Sequence, residues 1–177
     1  MAKGQSRGAD YMRGFTWGVK GEEVVMANLN RELEGITARS MKGLIMAAAF
    51  IRDETEKTPP LTPVDLGNLR ASWFVVTASR VAAGSATHQF KGPKAAELSS
   101  SHSSAIAESQ GIVASQSTAS KKFLMMGYGA NYSGYVHEMI GANFKKTGAG
   151  PKWLETHIKK NTGKIVQIVK DNAQIKK

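Results

Sequence analysis

Hydrophobic positions at helical spacing over residues 22–57 predict the longest element of the chain. The apolar stripe advances by three or four residues at each step, which is typical of one face of an amphipathic α-helix. Pro59 and Pro60 end the predicted helix, since proline has no amide hydrogen to donate. The stripe comprises Val25, Leu29, Leu33, Ile36, Ser40, Leu44, Ala47 and Ile51.

Two glycines interrupt this predicted helix. Gly35 and Gly43 each lower its intrinsic stability, because glycine loses more backbone freedom on folding than other residues. We expect them to mark a bend or a close contact with another element.

Shorter patterns predict the remaining elements. Residues 69–77 and 123–128 are rich in β-branched, aromatic and other apolar residues, which favours strands. Apolar residues at helical spacing predict a short helix over residues 130–140 and a C-terminal amphipathic helix that begins near Pro151. The order of elements predicts an α+β fold, with a long N-terminal helix and a C-terminal helix packed on a small antiparallel sheet.

Two segments show no such periodicity. Residues 82–121 are dominated by serine, alanine, glycine and threonine, and this composition predicts a long exposed loop between strands. Residues 1–21 are rich in glycine and predict a flexible arm ahead of a single domain over residues 22–177.

The arm is unusual in its aromatic content. Tyr11, Phe15 and Trp17 fall within seven residues, which is rare in a segment that stays free in water. Docking on the protein's own core and docking on a neighbouring subunit both remain open, because large aromatic side chains are favoured in both settings.

Charge and composition limit the classes of function that this chain can have. The chain of 177 residues has no cysteine, which excludes disulfides, thiolate metal ligands and a cysteine nucleophile. The net charge is +10, and most of it lies at the ends: residues 1–20 carry +3 and residues 145–177 carry +7, whereas residues 21–77 carry −2. Basic ends are more typical of solvated tails or electrostatic arms than of a folded nucleic-acid reader.

Catalytic and targeting motifs are incomplete. His137-Glu138 opens an HExxH pattern, but Gly141 stands where the second zinc ligand would be. The sequence contains no P-loop and no GxSxG nucleophile elbow, so we expect no enzyme activity, no metal and no cofactor. The first 20 residues lack the apolar core of a signal peptide, and no apolar run is long enough to span a membrane.

Three segments follow one another in a distinctive order: residues 58–73 (TPPLTPVDLGNLRASW), residues 131–144 (NYSGYVHEMIGANF) and residues 150–161 (GPKWLETHIKKN). Together they resemble the family of tailed-bacteriophage neck and tail-completion proteins, also called head–tail connector or minor capsid proteins. In that family a proline–aspartate–glycine turn follows a long helix, a tyrosine-rich helix comes later, and an aromatic–leucine pair opens the C-terminal helix. The resemblance covers residues 22–77 and 122–170.

The first segment carries most of the resemblance. It matches the family pattern almost throughout, with Leu66 where the family usually has threonine. His137-Glu138 lengthens the second segment by one residue, and Trp153-Leu154 occupies the aromatic–leucine position of the third.

The resemblance implies a non-enzymatic virion protein, made in the host cytoplasm, that forms a homo-oligomeric ring of six or twelve subunits at the head–tail junction. Its implied partners are the portal or adaptor and the tail-tube proteins, with non-specific contact to genomic DNA and no membrane. The implied interface residues are Pro63, Asp65, Gly67, Leu69, Arg70, Tyr132, Tyr135, His137, Glu138 and Trp153.

Several roles stay open within this set. Asp65 is expected to accept hydrogen bonds from backbone amides of its own turn. Arg70 either pairs with Asp65, with Glu138 or with a neighbouring subunit, or only braces its turn. Two other function classes compete with the ring: a nucleic-acid-binding protein that uses its basic ends, and a hydrolase with His137 as general base.

Overall fold

The computed structural model describes residues 22–82, 89–118 and 121–174, with side chains from residue 27 onward. The predicted arm, with Tyr11, Phe15 and Trp17, lies outside these ranges. The elements in chain order are α1 (Glu22–Lys57), α2 (Asn68–Ala71), β1 (Trp73–Thr77), α3 (Ala95–Gln116), β2 (Leu124–Tyr128), α4 (Ser133–Glu138), α5 (Trp153–Lys160) and α6 (Thr162–Ala173).

The chain divides into two compact units, Met1–Gly35 and Ile36–Lys177. In the first unit the described residues are the N-terminal part of α1, which confirms the predicted helix there. Leu29 and Leu33 are about half exposed, at 50% and 52%, so the predicted apolar stripe is open to solvent over this stretch.

In the second unit α1 continues to Lys57 and contributes Ala47, Ala48 and Ile51 to the core. The amide of Thr58 donates to the carbonyl of Glu54 at 2.9 Å and closes the last turn before the two prolines. The expected end of the helix is therefore confirmed.

The sheet consists of β1 and β2, which pair antiparallel with Trp73 opposite Tyr128 and Thr77 opposite Leu124. Successive side chains of β1 point to opposite faces, and both faces are covered. Phe74 and Val76 cluster with Ile106 and Val113 of α3, whereas Trp73 and Val75 cluster with Ala48 of α1. Burial on both faces explains why this strand is continuously apolar rather than alternating.

The prediction of an exposed loop over residues 82–121 is wrong for residues 95–116, which form α3. The helix packs across both strands. Its buried side chains recur at spacings of four, four, three and four residues, which is one helical face. The other positions are mostly serine and alanine. The low content of large apolar residues is why the sequence pattern did not indicate a helix here. The buried residues are Leu98, His102, Ile106, Ser109 and Val113.

The C-terminal segment contains two helices where the sequence predicted one. Asn161 lies between α5 and α6, and its side-chain amide donates to the carbonyl of His157 at 3.0 Å. Asparagine competes in this way for backbone groups and favours helix ends. α6 packs closely on α1 at Gly43, where an added Cβ would lie 2.9 Å from Cα of Val169. The close contact predicted for Gly43 is confirmed.

The α+β fold class, the long first helix and the helical C-terminal region are confirmed. Residues 69–71, predicted as the start of the first strand, instead belong to the short α2, and α4 covers the middle of the predicted 130–140 helix. Among the described residues, no helix combines the length and apolar character that crossing a membrane requires.

Candidate interaction site

The turn after α1 is fixed to the segment that precedes α5. The amide of Leu61 donates to the carbonyl of Gly148 at 2.8 Å, and the amide of Gly150 donates to the carbonyl of Leu61 at 3.2 Å. The buried His157 of α5 donates from Nε2 to the carbonyl of Pro60 at 3.1 Å. These bonds join the first and third segments that carry the family resemblance.

Tyr128 lies at the centre of a buried polar network. Thr55 donates its only hydroxyl hydrogen to the carbonyl of Arg52 at 2.7 Å. In the 3.1 Å contact between Thr55 Oγ1 and Tyr128 the phenol must therefore donate. Thr62 Oγ1, also 3.1 Å from the phenol oxygen, then donates to it.

Burial raises the pKa of Tyr128, against the opposing effect of the bonds to Thr55 and Thr62. The phenol thus keeps the hydrogen that the network needs. The rings of Trp73 and Trp153 pack edge-on against it, with centroids 5.3 and 5.9 Å away. Edge-on aromatic pairs stabilise a fold beyond the gain from burying their apolar surface.

Gly67 and Asn68 shape the second half of the turn. Gly67 has a φ of +86°, in the left-handed region that residues with a Cβ rarely adopt. The buried Asn68 side chain then donates to the carbonyl of Lys91 at 2.8 Å and accepts from the amide of Lys91 at 2.8 Å. This paired bond fixes the segment before α3 beside the turn.

Arg70 pairs with Glu56 of α1, which also contacts Arg52 at 3.5 Å. The expected pairs with Asp65 and with Glu138 are therefore wrong within the described chain. The sequence could not rank these acids, because Glu56 approaches Arg70 only through the reversal at residues 58–67. Arg70 braces α2 against the end of α1.

Asp65 also differs from expectation. It accepts from Lys145 Nζ at 2.6 Å, and across the described residues it accepts no bond from the amides of its own turn. Both side chains are largely exposed, at 70% and 81%, so this ion pair contributes little to stability. The pair joins the first family-like segment to the residue that directly follows the second one.

His137 and Glu138 are held by contacts to the start of α5. The His137 ring packs edge-on against the buried Trp153 at 4.7 Å, and its Nδ1 donates to Glu138 Oε1 at 2.8 Å. Lys152 pairs with Glu138, and its amide donates to the carbonyl of His137 at 2.8 Å. The hydrogen bonds from Lys152 and then from His137 lower the pKa of Glu138 below its ordinary value.

A groove of about 530 Å³ separates three segments: residues 63–69, residues 91–98 and residues 132–145. Its charged rim consists of Asp65, Lys91, Lys94 and Lys145. The first and second family-like segments thus line a single surface. The apolar side chains of its lining include Leu69, Leu98, Tyr132, Val136, Met139 and Phe144.

The predicted site residues divide between this groove and its support. Pro63, Asp65, Gly67, Leu69 and Tyr132 line the groove. Arg70, His137, Glu138 and Trp153 instead form the supporting contacts described above. Tyr135 is 73% exposed and does not line the groove. Ile140 is 80% exposed and does not line it either.

The sequence did not indicate which residues hold the turn. Thr62 and Asn68 belong to the first family-like segment but were not among the predicted interface residues, and Tyr128 belongs to none of the three segments. Lys91 and Lys94 fell within the predicted loop over residues 82–121 and were not singled out, and the structure places them just before α3. Gly92-Pro93 before a thin helical stripe was the available signal for that helix start.

Within the described ranges, no cluster of three or more histidine, aspartate or glutamate side chains is arranged to hold a metal ion. Comparisons of the chain with models of protein families, with curated proteins and with solved structures found no match.

Proposed function

We propose that the protein is a structural subunit of a homo-oligomeric ring at the head–tail junction of a tailed bacteriophage, where it joins portal or adaptor to tail. The observation that carries the proposal is the groove between residues 63–69 and residues 132–145. They belong to the first and second family-like segments, which lie far apart in the sequence.

The surface near the groove favours contact with other proteins. Leu66, Tyr135 and Ile140 are each more than half exposed, so three large apolar or aromatic side chains are available for contacts with another protein. Interfaces of oligomers are enriched in such apolar and aromatic residues. An assembled ring accounts for this exposure.

The contacts of His137 and Glu138 favour the ring over the competing hydrolase hypothesis. The Glu138 carboxylate pairs with Lys152 and accepts a hydrogen bond from His137, and these two contacts lower its pKa, which disfavours a role as a general acid. The His137 ring packs edge-on against Trp153, and the shallow pocket that it lines with residues of α5 contains no serine, threonine or cysteine.

Light scattering on the purified protein, alone and mixed with portal, adaptor and tail-tube proteins, tests the ring. The expected result is a species whose mass is a defined multiple of the subunit mass, together with the protein's presence in purified virions. A monomer in every mixture, combined with absence from virions, would contradict the proposal.

A basic nucleic-acid-binding protein is the second candidate, and one observation favours it. Lys160, Lys164 and Lys170 are exposed on α5 and α6, with no carboxylate partner in the described part of the chain. If they contact phosphates, DNA affinity falls steeply with salt, and replacing all three by glutamine reduces that slope. DNA binding that is undetectable at physiological salt would dispose of this candidate.

A further inference from the structure

We propose that residues 22–35 of α1 from one copy bind in the groove of a second copy, so that adjacent ring subunits contact each other head to tail. This inference rests on the proposed ring and specifies its subunit contact. The donor segment and the receiving groove lie on different parts of the same chain.

The donor segment has an apolar face with no cover. Leu29 and Leu33 are one helical turn apart and about half exposed, and every residue from 27 to 34 is exposed. Val25 continues the stripe in the sequence by one further turn. Helices of globular proteins gain most of their stability by packing such a face, and an amphipathic helix commonly buries it in an apolar groove of a partner.

The charges of the two surfaces are complementary. Residues 22–35 contain four glutamates and one arginine, a net charge of −3. At the groove, Asp65 is engaged with Lys145, whereas Lys91 and Lys94 have no carboxylate partner in the described part of the chain. An acidic helix with a leucine stripe therefore fits a groove with an apolar floor and a lysine rim.

The arrangement also fits a ring. A contact between two different patches of the same chain is heterologous, and such contacts generate closed rings when the rotation between neighbours closes. A second copy is the occupant that we favour, because this chain itself supplies both complementary surfaces. Binding of a portal or tail segment in the groove is the alternative that the experiment must exclude.

The first test is chemical crosslinking of assembled protein prepared from equal amounts of ¹⁵N-labelled and unlabelled chains. A carbodiimide joins carboxylates to amines with no spacer, and mass spectrometry then separates links between copies from links within one copy. The expected result is Glu32 or Glu34 joined to Lys91 or Lys94 across copies. Links from these glutamates that occur only within one copy, or only to another protein, would overturn the inference.

The second test reverses the charges. We expect Glu32→Lys with Glu34→Lys, and separately Lys91→Glu with Lys94→Glu, to raise the dissociation constant of the subunit contact by about tenfold or more. A chain that carries all four changes should recover assembly, which a misfolded variant would not do. Glu108→Lys on the exposed side of α3 is the control and should assemble like the unaltered protein.

The failures of the two proposals are distinguishable. Rings that form normally with every reversed variant would overturn the α1–groove contact and leave the ring intact. Unaltered protein that forms no ring in any mixture would contradict the proposed function, and this inference with it.

Discussion

The hydroxyl of Thr62 lies 3.1 Å from the phenol oxygen of Tyr128, which joins the turn after α1 to the last residue of β2. The same phenol donates to Thr55 near the end of α1. One side chain thus fixes the start of the family-like turn against both the long helix and the sheet.

Tyr128→Phe tests this network. The change leaves the buried hydroxyl of Thr62 without its acceptor, so we expect a loss of about 1–3 kcal/mol in the free energy of unfolding. Urea denaturation measures it. Tyr135→Phe is the matched control, since Tyr135 is 73% exposed, and should change stability by less than about 0.5 kcal/mol. Equal stability of both variants would contradict the network's importance.

Gly43→Ala tests the close packing of α1 and α6. Alanine normally favours a helix by about 1 kcal/mol over glycine, but here its Cβ would lie 2.9 Å from Cα of Val169. We expect a net loss of about 1–3 kcal/mol, because the backbone must shift. Thermal or urea unfolding measures it.

Gly111→Ala in α3 is the control for Gly43, since its added Cβ meets no atom within 4 Å. It should stabilise the protein by up to about 1 kcal/mol. If Gly43→Ala were stabilising to the same degree, the inferred helix contact would be wrong.

Gly67→Ala tests the conformation of the turn. An added Cβ at this position has open space around it, so its cost comes from the φ of +86° alone. We expect a loss of about 1–2 kcal/mol. Gly134→Ala, which also has open space and no positive φ, should not show this loss. If Gly67→Ala left the free energy of unfolding unchanged, the turn would accommodate alanine without strain and the prediction would be wrong.

The long first helix and the first strand were the easiest elements to predict. A stripe of aliphatic residues over several turns identified α1, and the apolar run of β1 identified the strand. α3 was missed because its buried face includes His102 and Ser109 beside only three aliphatic residues. Serine and alanine elsewhere on the helix made the segment resemble a loop in composition.

The local backbone geometry of the site could be predicted from the sequence, but the side chains that its residues contact could not. Gly67 and Pro63 indicated a sharp reversal, and the left-handed φ of Gly67 agrees with it. The partner of Arg70 was not predictable, since Glu56 precedes it by 14 residues across the turn. Tyr128 and Thr55 are 73 residues apart, and only the fold brings them together.

Glu138 provides a test by pH. Its pKa is lowered, chiefly by the hydrogen bond from Lys152. The ionised carboxylate therefore stabilises the fold fully at pH values above its ordinary pKa of 4.5. This stabilisation is lost as the pH falls through the lower pKa of the folded state. Lys152→Gln should raise the pKa of Glu138, as measured by NMR titration.

Lys160→Gln is the control for that titration, because Lys160 is exposed on α5 and has no contact with Glu138 in the described structure. It should leave the pKa of Glu138 unchanged. An unchanged pKa in Lys152→Gln as well would contradict the inferred ion pair.

We propose above that this chain completes the junction between head and tail as one subunit of a ring. The decisive measurement is an averaged electron-microscopy image of the assembled neck. We expect a closed ring of this protein between portal or adaptor and tail tube, with residues 22–35 of each copy in the groove of its neighbour. A neck without density for this protein would contradict the proposed function.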